Sequence, residues 1–236
     1  QPSGRIPLDS DTVLSPGSAQ AALHAAGAGV AAVDAVLGGS ARRVFCAVRP
    51  PGHHATADIA MGFCLFNNIA VAAAHALDRY GLMRISIVDF DVHHGNGTQA
   101  IFEAEPRVQY VSSHQWPLFP DTGRREERGV GNIVNLPLPS GTGSRRFCDA
   151  WRERLLPEID AFAPQLLMIS AGFDAHGRDP LAQLQLEAED FGWLTGELST
   201  LANRHCEGRI VSMLEGGYDL QALRECSVAH LRALAG

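Results

Sequence analysis

A parallel α/β fold is what the sequence predicts, and three observations carry the prediction. Short apolar, β-branched runs at residues 44–48, 85–88, 108–112, 133–138, 166–170 and 210–214 are each closed by polar or turn-forming residues, as buried parallel strands are. Stretches of helical character lie between them, at 19–37, 69–80, 97–103, 144–162 and 187–205, and another at 219–234 closes the chain. Residues able to carry chemistry gather just past the carboxyl ends of four of the strands, where ligands bind in sheets of this kind. At 236 residues the chain suits a single α/β domain spanning 1–236, large enough to bury a sizeable core.

Taken in order, residues 1–18 are rich in Pro, Ser, Gly and Asp and read as irregular surface chain. Ser18 is placed to cap the helix 19–37, whose Leu23, Val30, Val33 and Leu37 are spaced for one packed face and which Gly38 and Gly39 would end. After the strand at 44–48, Pro50, Pro51 and Gly52 force a stop, and His53 and His54 follow at once. Two adjacent imidazoles beyond a rigid turn can act as general base and acid, because their ordinary pKa lies near neutrality.

The stretch 84–98, R-I-S-I-V-D-F-D-V-H-H-G-N-G-T, organises the rest. Side chains alternate along a strand, so Asp89, Asp91 and His93 share one side if strand geometry persists to its end. Two carboxylates and an imidazole buried together without compensation would cost several kcal/mol. A divalent cation would relieve that cost, zinc first, with manganese or iron also suited to these ligands. The plainer alternative is that Asp89 and Asp91 cap the helix that begins near Gly95.

Beyond the strand at 108–112, a loop carrying Trp116 and Phe119 reads as a packing loop or, beside a polar site, a channel wall. Residues 123–132 are charged and Gly-rich, hence expected to be mobile, and Pro157 should interrupt or bend the helix 144–162. Asp174 lies just past the strand 166–170, and Tyr218 follows Glu215, Gly216 and Gly217 after the last strand. The closing helix is amphipathic through Leu220, Leu223, Val228, Leu231 and Leu234.

Asp91, His93 and Asp174 make three ligands and leave coordination open, as a catalytic zinc site requires. His53 and His54 supply proton transfer, Asp89 and Asn96 orient the two imidazoles, and Tyr218, freed by two glycines, donates a hydrogen bond to a developing oxyanion. These parts fit amide hydrolysis.

Composition narrows the field. Apolar residues at 46% and charged residues at 19% give a globular balance, with no apolar run long enough to span a bilayer. A net charge of −7 without a Lys/Arg cluster argues against direct nucleic-acid binding and is compatible with a cationic substrate. Cys46, Cys64, Cys148, Cys206 and Cys226 form no C-x-x-C pair and read as buried free thiols of a reducing compartment; with no secretion signal, a cytoplasmic location is expected. With Gln1 in place of Met at its opening, a processed or partial product is expected.

The motifs R-P-P-G-H-H-A (49–55), G-F-C-L-F-N-N (62–68), D-F-D-V-H-H-G-N-G-T (89–98), S-H-Q-W-P-L-F-P-D-T-G (113–123), A-G-F-D-A-H-G-R-D-P (171–180) and L-E-G-G-Y-D-L (214–220) resemble, in the same order, those of the zinc-dependent histone deacetylase family, in its class II-like, bacterial-type amidohydrolase branch. The resemblance implies a three-layer arginase/deacetylase-like fold and zinc-dependent removal of acetyl or other acyl groups from lysine-like amines by an activated water. It also implies zinc ligands at Asp91, His93 and Asp174, a histidine pair at His53 and His54, and an oxyanion donor at Tyr218. Gly62, Phe63 and Phe119 would form the tube around the substrate's aliphatic part. A potassium ion is implied beside Asp89, drawing also on Asp91, His93 and Ser112.

Several positions depart from or select within the pattern. Asn96 stands where some members carry Asp, so His54 lacks a carboxylate partner and is the weaker proton carrier. Leu181 occupies the place where polyamine-preferring relatives carry Glu, which favours acyl-lysine over acetylpolyamines. The family's domain begins well before residue 1, so an amino-terminal part is expected to be missing. Two rivals follow: an acetylpolyamine amidohydrolase, and a truncated, catalytically weak module that binds zinc and acyl-lysine. A two-metal ureohydrolase needs D-x-H-x-D, and Gly95 here removes the bridging carboxylate.

Overall fold

Residues 4–236 are described by the structure, a computed structural model; the start of the expected irregular segment, residues 1–3, lies outside them. The rest of that segment holds a small antiparallel hairpin, β1 (Ile6–Pro7) with β2 (Val13–Leu14). The sheet strands are β3 (Arg43–Cys46), β4 (Ile85–Asp89), β5 (Val108–Gln115), β6 (Ile133–Leu138), β7 (Leu166–Ala171) and β8 (Ile210–Leu214). Their order is β3-β8-β7-β4-β5-β6, and every pairing is parallel.

From β4 the chain steps outward to β5 and β6, then returns to the other side of β4 for β7. The strand order therefore reverses between β4 and β7, which opens a crevice at their carboxyl ends. Asp91 and Asp174 follow those two strands.

Helices cover both faces. On one lie α1 (Ser18–Leu37), α2 (Asn68–Tyr80) and α3 (Asn96–Phe102); on the other lie α4 (Ser144–Ala150), α5 (Leu156–Phe162), α6 (Ala188–His205) and α7 (Leu220–Ala235). Each face has its own core. Ile85 and Ile87 of β4 join the first core and Val88, Phe90 and Val92 the second, so the two-residue alternation runs past the strand's last residue.

Several sequence expectations need correction. Ser18 is the first residue of α1, not its cap: Gly17 holds the cap position, and the Ser18 hydroxyl accepts from the Ser15 N–H. The packed face of α1 is Ala22, Ala25, Ala26, Gly29, Ala32, Val33 and Val36, while Leu23 is 62% exposed. By length and composition this helix could cross a membrane, contrary to the reading of composition, yet it lies against α2, where a Cβ on Gly29 would come 3.0 Å from Ala72 Cβ. Close approach of that kind is what small residues permit. The buried side of α7 is Ala222, Cys226, His230 and Leu234; Leu220, Val228 and Leu231 face outward.

The helix 144–162 is interrupted by a π-helical turn at Trp151–Leu155, just before Pro157, which occupies the first turn of α5. Proline has no N–H to give the preceding turn, so the wider turn forms there. Residues 123–132 are pinned rather than loose: Glu127 accepts from the N–H groups of Gly123 and Arg124, and the Asn132 amide donates to the carbonyls of Phe102, Glu105 and Val108. The five cysteines are free; four are buried and Cys148 is half-buried.

Candidate active site

Each group at the crevice is delivered by a strand end. β4 stops at Asp89, and the next residues hold one another through side chain and backbone: Asp89 Oδ1 accepts from the Asp91 N–H at 3.2 Å, and Asp91 Oδ1 from the His93 N–H at 2.8 Å. Asp174 Oδ1 reaches back to accept from the Val92 N–H at 3.0 Å. These bonds take the place of ladder partners that the chain loses on leaving the sheet. The capping alternative is not what is seen, since α3 starts after Gly95 with no side-chain cap.

Asp91, His93 and Asp174 meet. His93 Nδ1 lies 3.1 Å from Asp91 Oδ1 and 3.1 Å from Asp174 Oδ2, and one donor atom from each residue falls within 4.8 Å of the others. Burial opposes a charge on His93, but its bonds to Asp174 and Asp91 outweigh it and push the imidazole up to about 10. Burial and the neighbouring Asp91 charge push Asp174 up to about 6. A site that holds a proton this strongly is one short of positive charge.

Two carboxylates and an imidazole, with a position left open, are a donor set that suits a divalent ion. The backbone has been cleared for such an ion: a Cβ on Gly216 would collide with the Asp174 and Asp91 carboxylates, and one on Gly172 with Asp91. Gly216 also donates its N–H to Asp91 Oδ2 at 2.8 Å. A side chain at Gly95 would strike Asp89, Tyr110 and His53, so there is no space for the bridging carboxylate of a two-metal site.

Over this floor lie the two histidines, ring centroids 4.1 Å apart. His53 Nδ1 is 3.0 Å from Asp89 Oδ2, which also accepts from the Tyr110 hydroxyl at 3.0 Å. His54 Nδ1 is 2.8 Å from Asn96 Oδ1. Burial works against a charge on either ring. On His53 the Asp89 and Asp91 charges win and raise it well above the usual imidazole range; on His54 the charge of His53 adds to burial and drives it well below.

Tyr218 is placed from two sides. Its N–H donates to Asp179 Oδ2 at 2.8 Å, while Arg49 donates to the Gly217 carbonyl at 3.0 Å and sits over the tyrosine ring at 5.8 Å. The glycines therefore bring the loop close to Asp91 instead of loosening Tyr218. Burial, with the Asp174 and Asp91 charges nearby, raises the phenol further above its usual range, so it stays a donor.

The rim residues separate. Phe63 packs edge-on to Tyr218 at 5.9 Å, and Phe119 edge-on to His54 at 5.1 Å. Gly62 leaves no room for a Cβ, which would fall 2.5 Å from His54 Cδ2. Leu181 is 42% exposed and donates its N–H to Asp179, so it belongs to the loop beside Tyr218. Ser112 pairs with Asp89 across β4 and β5, and its hydroxyl is 2.9 Å from His114 Nδ1. Sequence reasoning gave no role to Tyr110, Asp179, Arg49 or Glu215; the strand-end rule that found Tyr218 also marks Glu215, which directly follows β8.

Fold and site together define an α/β protein with an open metal-type donor set at the reversal point of its sheet. Residues 2–234 match the family described as Histone deacetylase domain, and the chain belongs to that family. It is 42% identical over 236 residues to the Histone deacetylase-like amidohydrolase of Pseudomonas aeruginosa, covering 97% of this chain and 62% of that protein. Human Polyamine deacetylase HDAC10 is 43% identical over 233 residues, covering 94% of this chain and 34% of that protein. The HD domain of HDA15, known from a crystal structure, matches with a TM-score of 0.91 at 39% identity, covering 98% of this chain and 65% of that one. The chain spans 14% of one curated relative and little more than half of others.

Proposed function

We propose that this chain is the catalytic part of a zinc-dependent amidohydrolase that removes acetyl or other acyl groups from lysine side chains, acting in the cytoplasm. The observation that carries the reading is the convergence of Asp91, His93 and Asp174 beneath His54 and Tyr218. Those three residues would hold the zinc, which when bound polarises a carbonyl and lowers the pKa of a water.

The remaining work falls to the protein's own groups. Phe63 and Phe119 grip the aliphatic part of the substrate and shed water around it. His54 donates Nδ1–H to Asn96, which leaves its Nε2 lone pair free, and burial keeps the ring neutral; it is the group suited to take a proton from the attacking water. On this electrostatic ground His54 is the better base of the pair, despite its amide partner. His53, held charged by Asp89, offers a proton for the departing amine. The Tyr218 hydroxyl donates to the carbonyl oxygen as negative charge develops on it. A potassium ion beside Asp89, with Asp91, His93 and Ser112, belongs to the same proposal.

Acyl-lysine is favoured over acetylpolyamines because Leu181 brings no negative charge to the rim for a second ammonium. A fluorogenic acetyl-lysine peptide, assayed with chelator and again after zinc is restored, tests the reading. Expected are chelator-sensitive, zinc-restored hydrolysis and slower turnover of acetylpolyamines. Folded, zinc-loaded protein without such activity would point to a binding module.

A further inference from the structure

Glu215 is wholly buried between three strand ends and carries a carboxylate that the chemistry above does not use. Its Oε2 accepts from the N–H groups of Gly52 at 2.7 Å and His53 at 3.1 Å, and its Oε1 accepts from the Ser170 hydroxyl at 3.0 Å. Among the described residues no Lys or Arg is ion-paired with it. A carboxyl group buried at a cost, with its hydrogen bonds all spent on the histidine turn and on Ser170, is there for what it holds in place.

What it holds is the turn that presents the histidines. The chain leaves β3 through Pro50 and Pro51 and must then point His53 at Asp89. Gly52 is wedged against Asn68, where a Cβ would come 2.5 Å from the Asn68 nitrogen, so one side of the turn is fixed by shape. The other side is fixed by Glu215, which receives the two consecutive N–H groups at Gly52 and His53. Its Ser170 bond ties that grip to β7, where Ser170 is the register partner of Asp89 on β4. Glu215 thus measures the distance from the histidine turn to the strand pair that carries Asp89.

We propose that Glu215 is a positioning residue for His53 and His54, acting through the geometry of its three hydrogen bonds and not through its charge. This rests on the reading of the two histidines as proton carriers. Two substitutions separate geometry from charge. Glu215→Gln removes the charge but can keep all three bonds, its carbonyl oxygen taking both N–H groups and its amide donating to the Ser170 oxygen. Glu215→Asp keeps the charge but is one methylene too short to reach the turn.

The direct readout is the downfield proton resonance of the His53 Nδ1–H bond to Asp89, recorded on zinc-loaded protein without substrate. Glu215→Gln, the conservative variant, should keep that resonance and rescue most of kcat. Glu215→Asp should shift or lose it and lower kcat by about 10- to 100-fold, the scale of a misplacement near 1 Å, with KM and zinc content little changed. The reverse order overturns the proposal, as do two variants alike in both readouts. If Glu215→Asp does not fold, Glu215→Gln still decides: loss of the resonance from the isosteric amide overturns the proposal and its retention supports it. Because the resonance needs no turnover, it separates failure of this inference from failure of the deacylase reading.

Discussion

The floor and the rim of the site are built by opposite means. On the floor, Asp89, Asp91 and Asp174 are at most 1% exposed, and each accepts at least one backbone N–H, which for Asp91 and Asp174 comes from a neighbouring segment. Gly172 and Gly216 close the remaining space so tightly that no side chain fits. On the rim, Phe63, Phe119 and Leu181 are 42%, 39% and 42% exposed, on loops secured by isolated contacts such as the Phe63 N–H to Thr12 Oγ1 at 3.2 Å. Groups that must sit to a fraction of an ångström are over-determined; groups that only exclude water and grip a chain are not. Floor substitutions should therefore cost turnover or metal, and rim substitutions affinity.

The largest effect is expected at the floor. Asp174→Ala should drop the zinc content well below one per chain and abolish the metal's several kcal/mol of transition-state stabilisation, about 10³-fold or more in kcat/KM. Elemental analysis that still found one zinc per chain would break the ligand assignment. Gly216→Ala should reach the same end by shape alone, because the new methyl group collides with Asp174 and Asp91. If that variant binds zinc normally, the floor yields to a methyl group and is not closed by shape.

Tyr218 stands between the two regions, its backbone anchored by Asp179 and its ring in contact with rim Phe63. Tyr218→Phe should keep zinc and KM but lower kcat by about 10²–10³-fold, as for removal of one oxyanion donor. Steady-state kinetics with unchanged kcat would assign Tyr218 wholly to the rim.

The same contrast decides what the sequence could reveal. Strands alternate with period 2, so one polar side of the 89–93 segment could be read directly, and Asp174 and Tyr218 followed from the rule that ligands sit beyond strand ends. Helix faces were harder, because apolar residues on α1 and α7 form overlapping stripes and only the partner selects one. Against α2 the space admits alanine and glycine, so Leu23 was displaced outward and Ala22, Ala25 and Gly29 went in. Glu215 escaped notice for another reason. The strand-end rule marks its position, but its role is hidden until the fold brings the Gly52 and His53 N–H groups, 163 and 162 residues away in sequence, onto it.

The smallest effect, and the one that most sharpens the contrast, belongs to the rim. Phe119 packs at near right angles to the His54 and His93 rings, at centroid separations of 5.1 and 6.4 Å. What the ring gives the substrate is apolar cover for its aliphatic part, at about 0.8 kcal/mol per methylene. Losing that cover over one or two methylenes, Phe119→Ala should raise KM for an acetyl-lysine peptide by roughly four- to tenfold at 1.4 kcal/mol per factor of ten. The value of kcat should hold, since His54 keeps its Asn96 bond and its packing against Gly62. Steady-state kinetics should give the same pattern for Phe63→Ala, provided Tyr218 stays anchored through Asp179. A fall in kcat as deep as that of Tyr218→Phe would mean that the ring also holds His54 in place, and the division between floor and rim would then fail at the point where Phe119 meets the imidazole.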